Sequence, residues 1–269
     1  MPTLHVVIPF FNEERTLDPC VRRAVLAALP SGWGAALVLV DDCSVDSAHL
    51  AARGLVERLR AERCDVLFLR HDVNRGKGAA IRSGFDAVLA RARAEPRRGQ
   101  DVVVIQDADL EYDPRDFAAL LAPLIERRAD AVYGNRWGPR WRAADRRLGV
   151  RRLVHRLGNG VLTAASNLLT GVRVDDMECC YKLLPVELLG RVRPHLTEDR
   201  FGIEPQITAV LGRLGARVAQ VDVAYAPRGF KEGKKIGVRD AFRALWVLTR
   251  EKLRRPPSTS SGQHAADRH

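Results

Sequence analysis

Short apolar runs alternate with longer amphipathic stretches through the first half of the chain. Residues 4–9 (Leu-His-Val-Val-Ile-Pro) are apolar at nearly every position, as a strand covered on both faces must be. The runs 36–40, 65–69, 102–106 and 131–133 repeat that pattern. Between them, residues 13–29, 47–63, 77–94 and 114–128 read as helices, the first stopped by Pro30 and the last opened by Pro114. Strands alternating with helices of this length predict βαβ units wound into a mostly parallel sheet with helices on both faces.

The regularity ends near Gly134. Beyond it the pattern predicts a helix at 151–169, a strand at 178–183, a helix at 204–214, a strand at 217–225 and a helix at 238–253. Residues 256–269 lack apolar side chains to pack and are expected to be a disordered tail. The expectation is therefore one α/β domain over residues 1–255, doubly wound. Its second part, 138–255, adds helices and strands to a regular first part, 1–137. No internal repeat is present.

Of 269 residues, 46% are hydrophobic and 29% charged, which is ordinary for a globular chain, but the net charge of +11 is not. The excess clusters. Residues 136–156 hold eight arginines against the single acid Asp145, and residues 228–255 hold ten Lys or Arg against Glu232, Asp240 and Glu251. Such surfaces serve nucleic acid, anionic lipid or polyphosphate substrates, or are simply solvated. Five cysteines, odd in number and without a C-x-x-C pair, indicate neither a disulfide framework nor a zinc site and fit a reducing compartment. The chain opens directly into a strand, without a basic region and apolar core of the kind that directs secretion. The sixteen uncharged residues 157–172 fall short of the ~20 that a spanning helix needs. A cytoplasmic protein is expected, at most peripheral on the inner face of a membrane.

Candidate chemistry concentrates at strand ends. Asp107 and Asp109 close the run at 102–106, and side chains at i and i+2 share a face, so both carboxylates can meet one hard cation. Taken alone, such a pair fits a turn or a helix cap equally well. A second acidic strand end, Asp41-Asp42-Cys43-Ser44-Val45-Asp46, lies upstream, where a cap for the following helix is the alternative to a ligand-binding role. Pro9-Phe10-Phe11-Asn12-Glu13 follows the first strand and Asn74-Arg75-Gly76-Lys77-Gly78 enters the third helix. Those glycines fit a phosphate cradle or a tight turn. All four segments fall on one rim of the predicted sheet, the edge at which open α/β sheets bind ligands.

In this order the four segments, with Asp107-Ala108-Asp109-Leu110-Glu111 as the last, resemble the nucleotide-sugar-binding half of family 2 glycosyltransferases. The polyprenyl- or dolichyl-phosphate sugar synthase branch is the most similar. The resemblance covers roughly residues 4–137. It continues more loosely through residues 176–182, 200–205 and 233–237. It implies a GT-A (Rossmann-like) fold, a nucleotide-sugar donor and Mg²⁺ or Mn²⁺ as cofactor. Pro9, Phe11, Glu13, Asp42, Lys77, Asp107 and Asp109 would bind the donor, with Asp42 accepting a uracil or guanine N–H. Phe11 departs from the family's usual tyrosine and keeps only the ring face. Asp107, Asp109 and Glu111 would hold the metal, whose charge offsets that of the departing nucleoside diphosphate. Arg136 matches a phosphate-contacting position, and Arg228, Lys231, Lys234 and Lys235 match a loop that closes over phosphates. Asp109, Arg136, Arg228 and Lys235 are thus the expected catalytic set.

The acceptor decides the rest. A phosphate monoester is already ionised and needs no strong base; a hydroxyl would need one, from Asp176, Glu178, Glu198 or Asp199. The segment at 200–205 points to the lipid-phosphate branch, so the expected reaction is inverting, metal-dependent transfer from a UDP- or GDP-sugar to polyprenyl phosphate. A soluble hydroxyl or amine acceptor is the alternative. Apolar positions in 151–169 and 238–253 beside arginines fit either contact with a membrane surface or ordinary packing on the sheet. A nucleotidyltransferase would carry a glycine- and arginine-rich loop where Pro9-Phe10-Phe11-Asn12-Glu13 stands. Nucleic acid is not an expected partner, because the acidic rim would repel it.

Overall fold

β1 (Thr3–Phe10) is buried at every position, the condition that its unbroken apolar run requires. It lies between and parallel to β2 (Gly34–Asp41) and β4 (Val102–Ile105), and β3 (Asp65–Arg70) extends the sheet beyond β2. The computed structural model describes residues 1–94, 101–138, 150–227 and 238–254, the side chains of 150–155 and 238 excepted. With β5 (Ala131–Asn135), β6 (Lys182–Pro185) and β7 (Val218–Asp222), the sheet runs β3-β2-β1-β4-β6-β5-β7. Strand order reverses between β1 and β4, so the crevice beyond their carboxyl ends is the switch point where such sheets place ligands. The mixed α/β, mostly parallel architecture is the one expected.

α1 (Leu17–Val25), α2 (Ala48–Ala61), α3 (Lys77–Ala94) and α4 (Phe117–Ile125) connect these strands. α1 is shorter than the expected 13–29. The Glu13 carboxylate accepts the Thr16 hydroxyl at 2.5 Å, and its carbonyl accepts the N–H groups of Thr16 and Leu17, so these residues form a turn ahead of the helix. Pro114–Asp116 is likewise a 3₁₀ turn before α4.

β6 is the exception to parallel order, antiparallel to both β4 and β5. It begins later than the expected 178–183. The buried Lys182 ammonium donates to the carbonyls of Met177 and Cys179 at 2.9 and 2.5 Å, which holds that segment in a turn. The helices of the second half are α5 (Val150–Thr170), α6 (Val186–Val192), α7 (Ile203–Arg213) and α8 (Val238–Leu253). α5, α7 and α8 pack against one another. All five cysteines are unpaired; Cys20, Cys179 and Cys180 are buried, Cys43 and Cys64 half-buried. Among the described residues no helix is long and apolar enough to cross a membrane.

Candidate active site

Just past β4, Gln106 fixes the start of the acidic turn: its amide accepts the Tyr181 hydroxyl at 2.7 Å and donates to the Asp107 carbonyl at 2.8 Å. The Asp107 carboxylate then meets the Lys77 ammonium at 2.9 and 3.0 Å. The same ammonium lies 2.8 Å from Glu204 Oε1, in the first turn of α7. Burial alone would lower the pKa of Lys77, but Asp107 and Glu204 outweigh it and hold the lysine charged. One cation thus joins the acidic strand end, the entry to α3 and the second half of the fold.

Asp109 and Glu111 do not join that pair in one cage. Leu110 between them takes a left-handed φ of 63°, a conformation that costs about 1–2 kcal/mol for a residue with a Cβ. Asp109 Oδ1 accepts the Glu111 N–H at 3.0 Å, and Glu111 Oε2 accepts the Tyr225 hydroxyl at 2.8 Å. Among the described residues no three His, Cys, Asp or Glu side chains converge as a metal site. The expected trio is therefore not assembled as a cage. Its half-buried carboxylates at a ligand crevice still suit Mg²⁺ or Mn²⁺, which commonly takes one or two carboxylates and completes its shell with substrate phosphate and water.

The other three segments knit the rim. Asn12 Oδ1 accepts the N–H of Val45 at 2.9 Å while its own N–H donates to Ser44 Oγ at 3.0 Å, which brings Phe11 and Glu13, both half-buried, beside the β2 turn. Pro9 is buried in β1. Asp41 accepts the Ser44 N–H, and no side chain caps α2 at Ser47, so the alternative role of this acidic pair as a helix cap is not the one it takes. Asp42 instead accepts the N–H groups of Arg75 at 2.9 Å and Gly76 at 2.6 Å, with the His71 ring at 2.7 Å. Three of its roughly four acceptor positions are taken, so it shapes the pocket and keeps at most one lone pair for a base N–H. The glycines have a packing reason. A Cβ on Gly76 or Gly78 would strike the backbone of residues 198–200, and Gly76 also sits at φ 101°.

In the second half three of the four candidate bases are paired with arginines. Arg136 is buried and clamps Asp176 through Nε at 2.7 Å, Nη2 at 2.7 Å and its backbone N–H at 3.1 Å, with Asn159 of α5 adding a fourth contact at 3.2 Å. Burial would raise the Asp176 pKa, yet Arg136 holds it below the usual carboxylate range. Glu198 is locked by Arg243 and Arg250 of α8, at 3.0 Å each, and Asp199 by Arg82. Glu178 differs. It accepts no hydrogen bond from any described residue, and burial with the nearby Glu204 charge pushes its pKa from 4.5 up to about 7. Arg228, Lys231, Lys234, Lys235 and the tail 256–269 lie outside the described residues.

The model of a protein family described as "Glycosyl transferase family 2" matches residues 5–182, from β1 to the start of β6. The chain belongs to this family. It is 27% identical over 248 residues to the dodecaprenyl-phosphate galacturonate synthase of Rhizobium johnstonii, covering 91% of this chain and 65% of that protein. It is 28% identical over 254 residues to the glycosyltransferase AglD of Haloferax volcanii, covering 91% of this chain and 37% of that one. The chain thus spans less than two thirds of both relatives. The fold is also that of glucosyl-3-phosphoglycerate synthase from Mycobacterium tuberculosis, solved with Mn²⁺, UDP and glucosyl-3-phosphoglycerate. There the TM-score is 0.58 at 20% identity, over 93% of this chain and 80% of that one. The same enzyme with Mg²⁺ and UDP gives a TM-score of 0.57 at 21% identity, over 93% and 79% of the two chains.

Sequence reading placed the rim and missed its ties. His71, Glu204 and Tyr225 each contact a predicted site residue from a distant segment. A glutamate in the first turn of a predicted helix was visible at Glu204, but its partner was not.

Proposed function

We propose that this family 2 glycosyltransferase moves a sugar from a UDP- or GDP-sugar to polyprenyl phosphate, with a divalent cation and with inversion. The observation that carries the choice of acceptor is the state of the candidate bases: Asp176, Glu198 and Asp199 are all paired with arginines. A site that attacks with an already ionised phosphate has no need of a free carboxylate. The names of the two relatives' activities favour the same class, a polyprenyl phosphate in one and glycosyl transfer in the other.

The donor would lie across the β1–β4 crevice, over Phe11 and against the loop that Asp42 holds. Asp107 and Asp109 would hold Mg²⁺ or Mn²⁺, which supplies positive charge to the diphosphate. The Lys77 ammonium, fixed between Asp107 and Glu204, adds a second cation near the leaving group without reorganisation. Glu204 holds Lys77 through one carboxylate oxygen, and its second is buried without a partner among the described residues. Attack from the side opposite the nucleotide inverts the anomeric centre. Arg136 acts through Asp176, as a strut for the acceptor side.

A second reading rests on Glu178, whose carboxylate near pKa 7 suits a general base for a hydroxyl acceptor. The test is nucleoside diphosphate release from a panel of UDP- and GDP-sugars with Mg²⁺ or Mn²⁺, with and without a short-chain polyprenyl phosphate. Release that requires both metal and lipid phosphate supports the first reading. Metal-dependent release indifferent to lipid, rising through about pH 7 and lost in Glu178→Gln, supports the second.

A further inference from the structure

Six of the thirteen exposed large apolar side chains among the described residues lie on two neighbouring helices, α5 and α8, which is too concentrated for ordinary surface scatter. On α5, Leu157, Val161 and Leu168 are 62%, 69% and 80% exposed, and exposed Ala164 continues their stripe. The opposite side of the helix buries Asn159, Thr163 and Ser166. On α8, Phe242, Trp246 and Leu253 are 69%, 50% and 82% exposed, with exposed Thr249 between them, while Ala244, Val247, Leu248 and Glu251 are buried. Both stripes follow steps of four, three and four residues along the side turned away from the protein body, where a solvated helix is normally polar.

The charge around the stripes has one sign. The other exposed positions of α8 are Arg239, Arg243 and Lys252, and exposed Arg254 follows it; of its acids, Glu251 is buried and Asp240 half-buried. The guanidinium groups of Arg243 and Arg250 lie 4.5 and 4.6 Å from the centre of the Trp246 ring. From residue 157 onward α5 exposes no charge at all. A second copy docked face to face would oppose cation to cation, whereas an anionic bilayer accepts apolar rings at its headgroup boundary and attracts the exposed cations Arg239 and Lys252.

We propose that the outward faces of α5 and α8 dock this protein on an anionic lipid bilayer. The surface stands on its own geometry, and its purpose rests on the polyprenyl-phosphate reading. α5 and α8 both pack on α7, which carries Glu204, and α5 supplies Asn159 to Asp176, so a docked protein holds its acceptor side at the membrane.

The test is co-sedimentation of the full chain with vesicles of phosphatidylglycerol and phosphatidylcholine, beside vesicles of phosphatidylcholine alone. The variants are Phe242→Glu/Trp246→Glu and Leu157→Glu/Val161→Glu, chosen at exposed positions so that the fold is kept, which their melting curves check. Binding of the unaltered chain to the anionic vesicles, weakened about ten-fold or more by either double variant and reduced by salt, is the expected result. Turnover of a water-soluble short-chain polyprenyl phosphate should be unchanged in both variants. Three results would overturn the docking surface: no binding by the unaltered chain, equal binding to neutral vesicles, or a dimer that the variants dissociate while vesicle binding stays absent. Binding that behaves as expected with no lipid-stimulated turnover would instead sink the acceptor reading and leave the docking surface standing.

Discussion

Past β4 the Asp107 and Asp109 carboxylates sit half-open, Asp107 against one lysine, while Asp42 at the end of β2 is buried and held by backbone N–H groups. Around β5 to α8 carboxylates are buried beneath arginines: Asp176 under Arg136, and Glu198 under Arg243 and Arg250. The first arrangement leaves negative charge available to a cation and its diphosphate. The second buries the Asp176 and Glu198 carboxylates against guanidinium groups. On the proposed reading, the first would serve a metal-bearing donor and the second an anionic acceptor.

The largest expected effect would break the second arrangement. Asp176→Ala leaves a buried guanidinium uncompensated and should cost about 3–5 kcal/mol of stability, read by urea unfolding. Because Arg136 holds the Asp176 pKa below its ordinary value, this stabilisation is present at neutral pH and lost as the pH falls below the usual carboxylate range. The unaltered protein should therefore lose stability in acid more steeply than the variant.

Breaking the first arrangement should act on turnover and not on the fold. Asp109→Ala should lower nucleoside diphosphate release by about 10²–10³-fold while keeping a cooperative melting transition. Normal turnover in a folded variant would refute the metal assignment.

A smaller effect separates the two roles of the glycine loop. Gly78→Ala places a Cβ against the carbonyls of Glu198 and Arg200, and should destabilise the protein by about 1–3 kcal/mol even without any ligand. Gly158→Ala, exposed on α5 with nothing within 4 Å of the added atom, should instead stabilise by about 0.5–1 kcal/mol. Equal effects from the two would mean that the loop does not rely on close packing.

The last effect is one of pH and concerns Glu178, which accepts no hydrogen bond from any described residue. Its raised pKa means that the folded state holds a proton that the unfolded chain has released, so stability falls as pH rises from 4.5 to about 7. Glu178→Gln should remove that fall when melting is followed across this range.

The comparison also marks what the sequence could reveal. Pro9, Asp42, Lys77 and Asp107 each lie within a few residues of a strand end or helix start, so local pattern alone put them on one rim. The acceptor side is built by pairs distant in the chain. β6 is antiparallel because its partners are Val102 to Val104 on one side and Val132 and Tyr133 on the other, and nothing within residues 178–185 states that choice. Arg136 was expected to reach a phosphate; its clamp on Asp176 follows from a turn forty residues away. Exposure on α5 and α8 was equally hidden, since an apolar stripe reads the same whether it meets a sheet or solvent.

The most direct test of the donor pocket is calorimetric titration of UDP and GDP, with Mn²⁺ or with chelator, into the unaltered protein and Asp109→Ala. The account predicts that one nucleotide binds the unaltered protein only with metal, and that the variant loses this metal dependence. Equal binding in chelator, or equal metal-dependent binding by the variant, would contradict it.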